Sequence, residues 1–322
     1  MVNIIIPIYK GRDTIRGGLD SLVAQTKKMF VVTLVQDCDG EDYTDIINEY
    51  TRRGLHMRLL QTDENVGPGN ARQLGIDNCD PCDYVIFMDA DDALCPRAVE
   101  VLYREAKRQG AEVVSSKFIC EQAHNPGYIM DTDKITWMHG KIYNVHALRQ
   151  YDIRFLPNIR YNEDAYFNLV VYNCFKKKYF VDEVTYLWRD NKNSLTREAG
   201  ETDFNVRSLP MYFEGQIKDL HKIEKKKKKE INYITILKIL ISIYNLYFKH
   251  SITTKDFNRL VLIFGEFKPY VKRLIPHINE VKFIQTINQN LKPFIYDKEN
   301  KNFYTIPFDK WVRDFVGVDL FG

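Results

Sequence analysis

Apolar residues in the first 120 positions fall into short runs rather than long stripes. The runs occupy 2–6, 30–35, 56–60, 84–88 and 112–118, and Pro7 closes the first. Between them, at 14–25, 42–53, 69–78 and 96–109, apolar residues recur every three or four positions. A run apolar on both faces predicts a strand covered on both sides, and the intervening period predicts helices. Their alternation predicts a doubly wound, mainly parallel α/β sheet over about the first 118 residues. Pro96 suits a first helical turn and Gly110 follows the last one. The periodicity breaks between 120 and 140, where Asn125-Pro126-Gly127 predicts a turn. It returns as a helix over 163–174 and a strand over 179–186.

Beyond about residue 200 the pattern is helical, basic and rich in Ile, Tyr and Phe, with no internal repeat. Residues 231–248 are apolar enough to suggest a membrane span. Their polar residues Asn232, Thr235, Lys238, Ser242 and Asn245, however, recur every three or four positions. That spacing draws one stripe down an amphipathic helix, and Lys238 at its middle makes insertion costly.

Composition sharpens this division. The 322 residues include 16 Gly, 11 Pro and 42 aromatics (3 Trp, 20 Tyr, 19 Phe), which excludes collagen-like, low-complexity and disordered classes. A formal charge of +3 hides an asymmetry: residues 1–200 carry 25 basic and 29 acidic side chains, residues 201–322 carry 21 and 14. Two domains are expected, a sheet domain over 1–200 and a basic, mainly helical appendage over 201–322. The cysteines are scattered, and Cys79-Asp80-Pro81-Cys82 lacks the second pair or spaced histidines of a zinc site. With no secretory pattern at residues 2–9, a reduced, cytoplasmic chain is expected.

In an open parallel sheet, ligands sit at the carboxyl ends of the strands. Pro7-Ile8-Tyr9-Lys10 follows the first strand and Asp37-Cys38-Asp39-Gly40 the second. The segment from Asp63 to Arg72 follows the third, and Asp89-Ala90-Asp91-Asp92 the fourth. No G-x-G-x-x-G opens the first helix, so a dinucleotide on a helix N-terminus is disfavoured. The crowded aspartates repel one another unless a cation is bound, and hard oxygen ligands suit Mg²⁺ or Mn²⁺. Alternatively they cap the helix beginning near Pro96.

Pro7-Ile8-Tyr9, Asp37, Asn65-x-Gly67-x-x-x-Ala71-Arg72-x-x-Gly75 and Phe87-Met88-Asp89-Ala90-Asp91-Asp92 occur in this order, with Glu163-Asp164 about seventy residues beyond the aspartates. Together they resemble the family 2 glycosyltransferases of the GT-A fold, over about residues 1–197. The resemblance implies a UDP-sugar donor, Mn²⁺ or Mg²⁺, and transfer with inversion to a hydroxyl of a glycan or other acceptor, by default a cell-surface polysaccharide. It implies that Pro7 and Tyr9 line the nucleobase pocket, with Tyr9 stacking on the base or packing as a core residue. Asp37 would accept the uracil N–H. The family often has two adjacent acids here, whereas this chain reads Gln36-Asp37-Cys38-Asp39, so Asp39 would substitute in part.

Asn65, Gly67 and Gly69 would bring backbone near the donor. Arg72 would reach the diphosphate or sugar, or else pair with a sheet-edge aspartate. Asp91 would be the chief metal ligand and Asp89 its companion near the ribose, with Ala90 between them and Asp92 a weaker candidate. Asp164 would be the base that deprotonates the acceptor, with Glu163 as substitute; the same two acids could simply cap their helix. Trp137-Met138-His139-Gly140-Lys141 would face donor sugar and acceptor, with Lys141 at the donor and His139 an ordinary loop histidine. Arg189, after Tyr186-Leu187-Trp188, would add positive charge at the leaving group.

Lys225, Lys226, Lys227, Lys228 and Lys229 read first as a solvated face, second as a contact for an anionic polymer or the inner membrane surface. Base recognition in a nucleic acid is disfavoured, because no aromatic interleaving accompanies them. The appendage is also a candidate for self-association. Two rival readings are a non-catalytic sugar-nucleotide-binding scaffold and a nucleotidyltransferase. The second wants a Gly-rich basic loop after the first strand, where only Lys10 and Gly11 stand.

Overall fold

The branched run at the start of the chain becomes β1 (Val2–Ile8), flanked by parallel neighbours on both sides in the computed structural model. On one side lie β2 (Phe30–Gln36) and β3 (Met57–Gln61); on the other lies β4 (Tyr84–Phe87). The structure describes residues 1–79, 81–122, 125–131, 137–157, 163–191, 230–249, 262–290 and 307–320, and singly 215, 220, 221, 224 and 225. These fall in two units, Met1–Glu198 and Ala199–Gly322.

Helices cover both faces of the first unit's sheet. Val2, Ile4, Ile6 and Ile8 pack in one core with α1 (Ile15–Val23), α2 (Thr44–Arg52) and α4 (Ala98–Gln109). Ile5 points the other way, onto α3 (Pro68–Asp77), where a Cβ on Gly75 would lie 2.5 Å from Ile5 Cγ2. Only a residue without a side chain lets that helix lie so close to the strand.

β1 continues through Pro7, which was expected to end it. The odd residues of β1 bond toward β4, as when Met88 N–H donates to Ile5 O, while Asp37 N–H donates to Ile8 O. β4 pairs no further than Ile5 with Phe87, so the missing N–H of Pro7 falls where the ladder has already ended.

Beyond β4 the order is β8, β6, β9, β5. β8 (Lys141–Asn144) is antiparallel to both β4 and β6 (Val113–Gln122), and β9 (Lys178–Trp188) runs parallel to β6. β5 (Ala93–Leu94) pairs with β9. The turn expected at Asn125-Pro126-Gly127 instead opens β7 (Asn125–Asp131), which pairs with β6 alone. Register slips between Cys120 and Gln122, opposite Pro126, and such an irregularity at an edge tolerates proline. α5 (Val145–Gln150) and α6 (Glu163–Cys174) complete the unit, and α6 has the bounds its periodicity predicts.

In the second unit, helix Tyr233–Lys249 buries Ile236, Leu237, Ile239, Leu240, Ile241, Ile243 and Tyr244 while exposing Lys238, with Asn232 exposed just before it. Trp311 is fully buried against Tyr244 and Phe264. No helix among the described residues is long and apolar enough to cross a membrane. Of the five-lysine run only the exposed Lys225 lies among the described residues.

Candidate active site

The carboxyl ends of β1, β2 and β4, the start of α3 and the first turn of α6 supply the predicted residues. Asp37 is buried, and both its oxygens serve the loop after β3. Oδ1 accepts from Thr62 Oγ1 (3.0 Å) and Val66 N–H (2.8 Å), and Oδ2 from Gly67 N–H (2.8 Å). Gly67 holds φ +83° at the start of α3, a conformation that suits glycine, and Asn65 precedes it half-buried. Asp37, expected to accept a base N–H, thus also clamps this loop, with acceptor capacity left on Oδ2. Tyr9 is 45% exposed, which excludes a core role, and Pro7 beneath it is half-buried.

After β4 the aspartates diverge. Asp92 is buried, accepting from Tyr186 Oη at 2.6 Å and Arg189 N–H at 2.9 Å, so that it ties β9 to this edge. Asp91 is half-buried and accepts from Asn191 Nδ2 at 2.8 Å. None of them caps α4: its N-cap is Arg97, without a side-chain cap, and β5 intervenes. Desolvation and the nearness of Asp89 and Asp91 raise the Asp92 carboxyl well above its ordinary value. Desolvation and Asp89 likewise raise Asp91. Asp89, by contrast, is held low by Arg72 against its own burial, so the raised Asp91 and Asp92 are the carboxyls that a further cation would favour.

His139, expected to be an unremarkable loop residue, completes the cluster. Its ring and the carboxylates of Asp89 and Asp92 offer ligand atoms within 4.8 Å of one another. The ring stacks on Trp188 (centroids 5.1 Å apart, 23° between planes) and lies 4.8 Å from Tyr186. Burial lowers its pKa to about 4 despite Asp89, leaving it neutral and ligand-competent, and its buried Nδ1 has no partner among the described residues. Hard carboxylates plus one imidazole with an orphaned nitrogen fit a divalent ion of the Mn²⁺ type. Asp91, the expected chief ligand, lies outside this group, and Asp89 is common to both sets.

Arg72 joins this cluster to α6. Its buried guanidinium donates from Nη2 to Asp89 and from Nη1 to Glu163 Oε1 at 2.7 Å. Burial opposes the charge, but attraction to both carboxylates prevails and raises its pKa. Gly69 makes room: a Cβ there would meet Glu163 Cγ at 2.9 Å. Glu163 is therefore an ion-pair partner. Asp164, one residue on, is half-buried, and its Oδ1 accepts from Ala165 N–H at 2.7 Å. Desolvation and repulsion from Glu163 push its carboxyl up to about 7, only partly offset by Arg72. A carboxylate so placed can accept a proton near neutrality.

The two remaining expected cations, Lys141 and Arg189, flank the cluster, and their charges act on His139 and Asp91 respectively. Lys141 is fully buried against α6, its Nζ 3.5 Å from Asn168 Oδ1 and over the Tyr172 ring, with no surface open to a ligand. β8 draws it under the helix, a placement that periodicity could not show. Arg189 lies across α1, where a Cβ on Gly17 would come within 2.3 Å of Nη1. Half-buried Ala90 separates the two aspartates.

A mostly parallel sheet with acids at its carboxyl rim and helices on both faces has the GT-A form. The model for Glycosyl transferase family 2 matches residues 3–180. The chain belongs to that family. The uncharacterized glycosyltransferase EpsJ of Bacillus subtilis (strain 168) is 25% identical over 218 residues, 61% of this chain and 63% of EpsJ. Poly(ribitol-phosphate) beta-glucosyltransferase of Bacillus spizizenii is 25% identical over 267 residues, 78% of this chain and 41% of that protein. The chain spans between 31% and 63% of the length of such relatives. Staphylococcus aureus TarS 1–349 in complex with UDP-GlcNAc shares the fold with a TM-score of 0.66 at 17% identity, over 90% of each chain. Mannosyltransferase PcManGT from Pyrobaculum calidifontis, in complex with GDP-Man and Mn²⁺, gives 0.51 at 12% identity, over 89% of this chain and 78% of its own.

Proposed function

We propose that this protein moves a sugar from a UDP-sugar to an acceptor hydroxyl with inversion, assisted by Mn²⁺ or Mg²⁺. The observation that carries this reading is Arg72, whose one guanidinium spans from Asp89 at the cation cluster to Glu163 beside Asp164. Asp89, Asp92 and His139 would hold the metal, with Asp91 at its border. A bound divalent ion would neutralise charge gathering on the departing diphosphate. Tyr9 offers its exposed ring to the base. Asp164 accepts the acceptor's proton; Glu163 and Arg72 set its position and basicity.

For the acceptor, a cell-surface glycan, and within that class an anionic polyol-phosphate polymer, is supported by the poly(ribitol-phosphate) relatives and by the basic excess of residues 201–322. The test is UDP release from a panel of UDP-sugars, with and without Mn²⁺, by wild type and Asp164→Asn. Metal-dependent release that the variant loses while still binding UDP is expected. Equal turnover by the variant overturns the assignment.

A further inference from the structure

Among the described residues, Asp39 is fixed by four donors at the sheet edge. Its Oδ2 accepts from Lys10 N–H at 2.7 Å and Tyr43 Oη at 2.7 Å; its Oδ1 accepts from Gln36 Nε2 at 2.6 Å and Glu41 N–H at 3.0 Å. Tyr43 Oη in turn accepts Gly11 N–H at 3.2 Å. The first two bonds lead into the loop after β1 and the others close the loop after β2, so one side chain fastens the two loops together. With four donors in place, Asp39 has little capacity left to receive a ligand N–H.

This fastening has a specific product. Lys10 sits at φ +50°, a left-handed conformation that a lysine adopts only when its surroundings hold it there. The bond to Asp39 is made by the backbone N–H of Lys10 itself. The neighbouring Tyr9 is turned outward at the rim, with Lys10 Nζ 5.3 Å from its ring. Gln36 also belongs to the device. An acid at that position would set carboxylate against carboxylate, whereas the amide donates both to Asp39 and to Glu41 O (2.6 Å).

We infer that Asp39, with Tyr43 and Gln36, is a positioning residue that presents Tyr9 as a stacking platform for the donor's nucleobase. The inference rests on the UDP-sugar reading above and concerns the uridine end of the donor rather than the transfer step. An asparagine cannot replace Asp39, because its amide hydrogens would face the donors that the second oxygen receives.

The experiment is a double-mutant cycle of Asp39→Asn and Tyr9→Ala, read by UDP binding in calorimetry and by steady-state kinetics, with Tyr43→Phe as a milder cut into the same network. Losing a stacked base is worth about ten-fold in affinity. Asp39→Asn is therefore expected to raise UDP Kd and donor KM by about that factor. Its kcat should change less than about two-fold even though its thermal midpoint falls with the lost bonds, and it should add nothing further to the binding loss of Tyr9→Ala. Should Asp39→Asn misfold, Tyr43→Phe must show the same KM-against-kcat split. Wild-type affinity retained by both folded variants, or full additivity with Tyr9→Ala, overturns the inference while leaving the UDP reading intact. A wild-type protein that binds no UDP overturns both.

Discussion

Arg72 and Glu163 are 91 positions apart in the chain, yet their side chains meet at 2.7 Å in the buried floor of the site. Because the same guanidinium grips Asp89, the end of β4 and the first turn of α6, which carries Asp164, are held by one side chain. Removing one partner of a buried pair leaves the other charge uncompensated, which costs far more than the pair contributes when intact.

Arg72→Ala should therefore lower stability by about 3–5 kcal/mol, as breaking a buried ion pair does, measured by denaturant unfolding. Arg72→Lys keeps the charge but cannot reach both carboxylates in a fork. It should fold, yet lose about 10²-fold in kcat through misplacement of Asp164. Turnover unchanged in the lysine variant would show that the bridge is only structural.

Asp164 supplies a pH signature. With its pKa pushed up to about 7, the fraction able to accept a proton grows through neutrality. The rate should rise with pH around that value and then level off, and Asp164→Asn should lose about 10²–10⁴-fold together with the rise. Stability follows the opposite course. A raised folded-state carboxyl binds its proton more tightly than the unfolded chain does, so the wild type loses stability as pH climbs through about 7. The asparagine variant should melt higher than wild type at pH 8, and a lower melting point there would contradict the raised pKa.

Chelation should abolish turnover, with restoration by Mn²⁺ or Mg²⁺. In thermal shift, Mn²⁺ plus UDP should raise the wild-type midpoint, and Asp89→Ala and His139→Gln should shrink that increment. Asp91→Ala separates the two ligand sets: the geometry around His139 predicts the smaller loss for Asp91.

Gly17 offers a test of Arg189 that leaves Arg189 in place. A methyl group there would sit 2.3 Å from its Nη1, at the end of a flexible side chain that can swing away. Gly17→Ala should keep or gain stability, up to about 1 kcal/mol from helix propensity. Activity should nevertheless fall as it does in Arg189→Ala. Full activity in Gly17→Ala would mean that Arg189's position is immaterial to turnover.

Hydrophobic period reports burial along a single stretch of chain, and burial along a stretch is what decides strand or helix. The sequence alone therefore determined the run of strands and helices through β4 and α4, the limits of α6 and the amphipathic helix Tyr233–Lys249. Its acid-bearing strand ends, together with the motif order, pointed to the family. Tertiary structure alone decided which side chains meet. The four-residue β8 carries no readable period, yet by inserting antiparallel between β4 and β6 it buries Lys141 and leads from the loop that sets His139 against Asp89. Asp91, Asp92 and Asp39 look interchangeable in sequence. They acquire separate partners in Asn191, in Tyr186 with Arg189, and in the loop after β1, because hydrogen bonds between distant segments depend on sheet order, which no local pattern encodes.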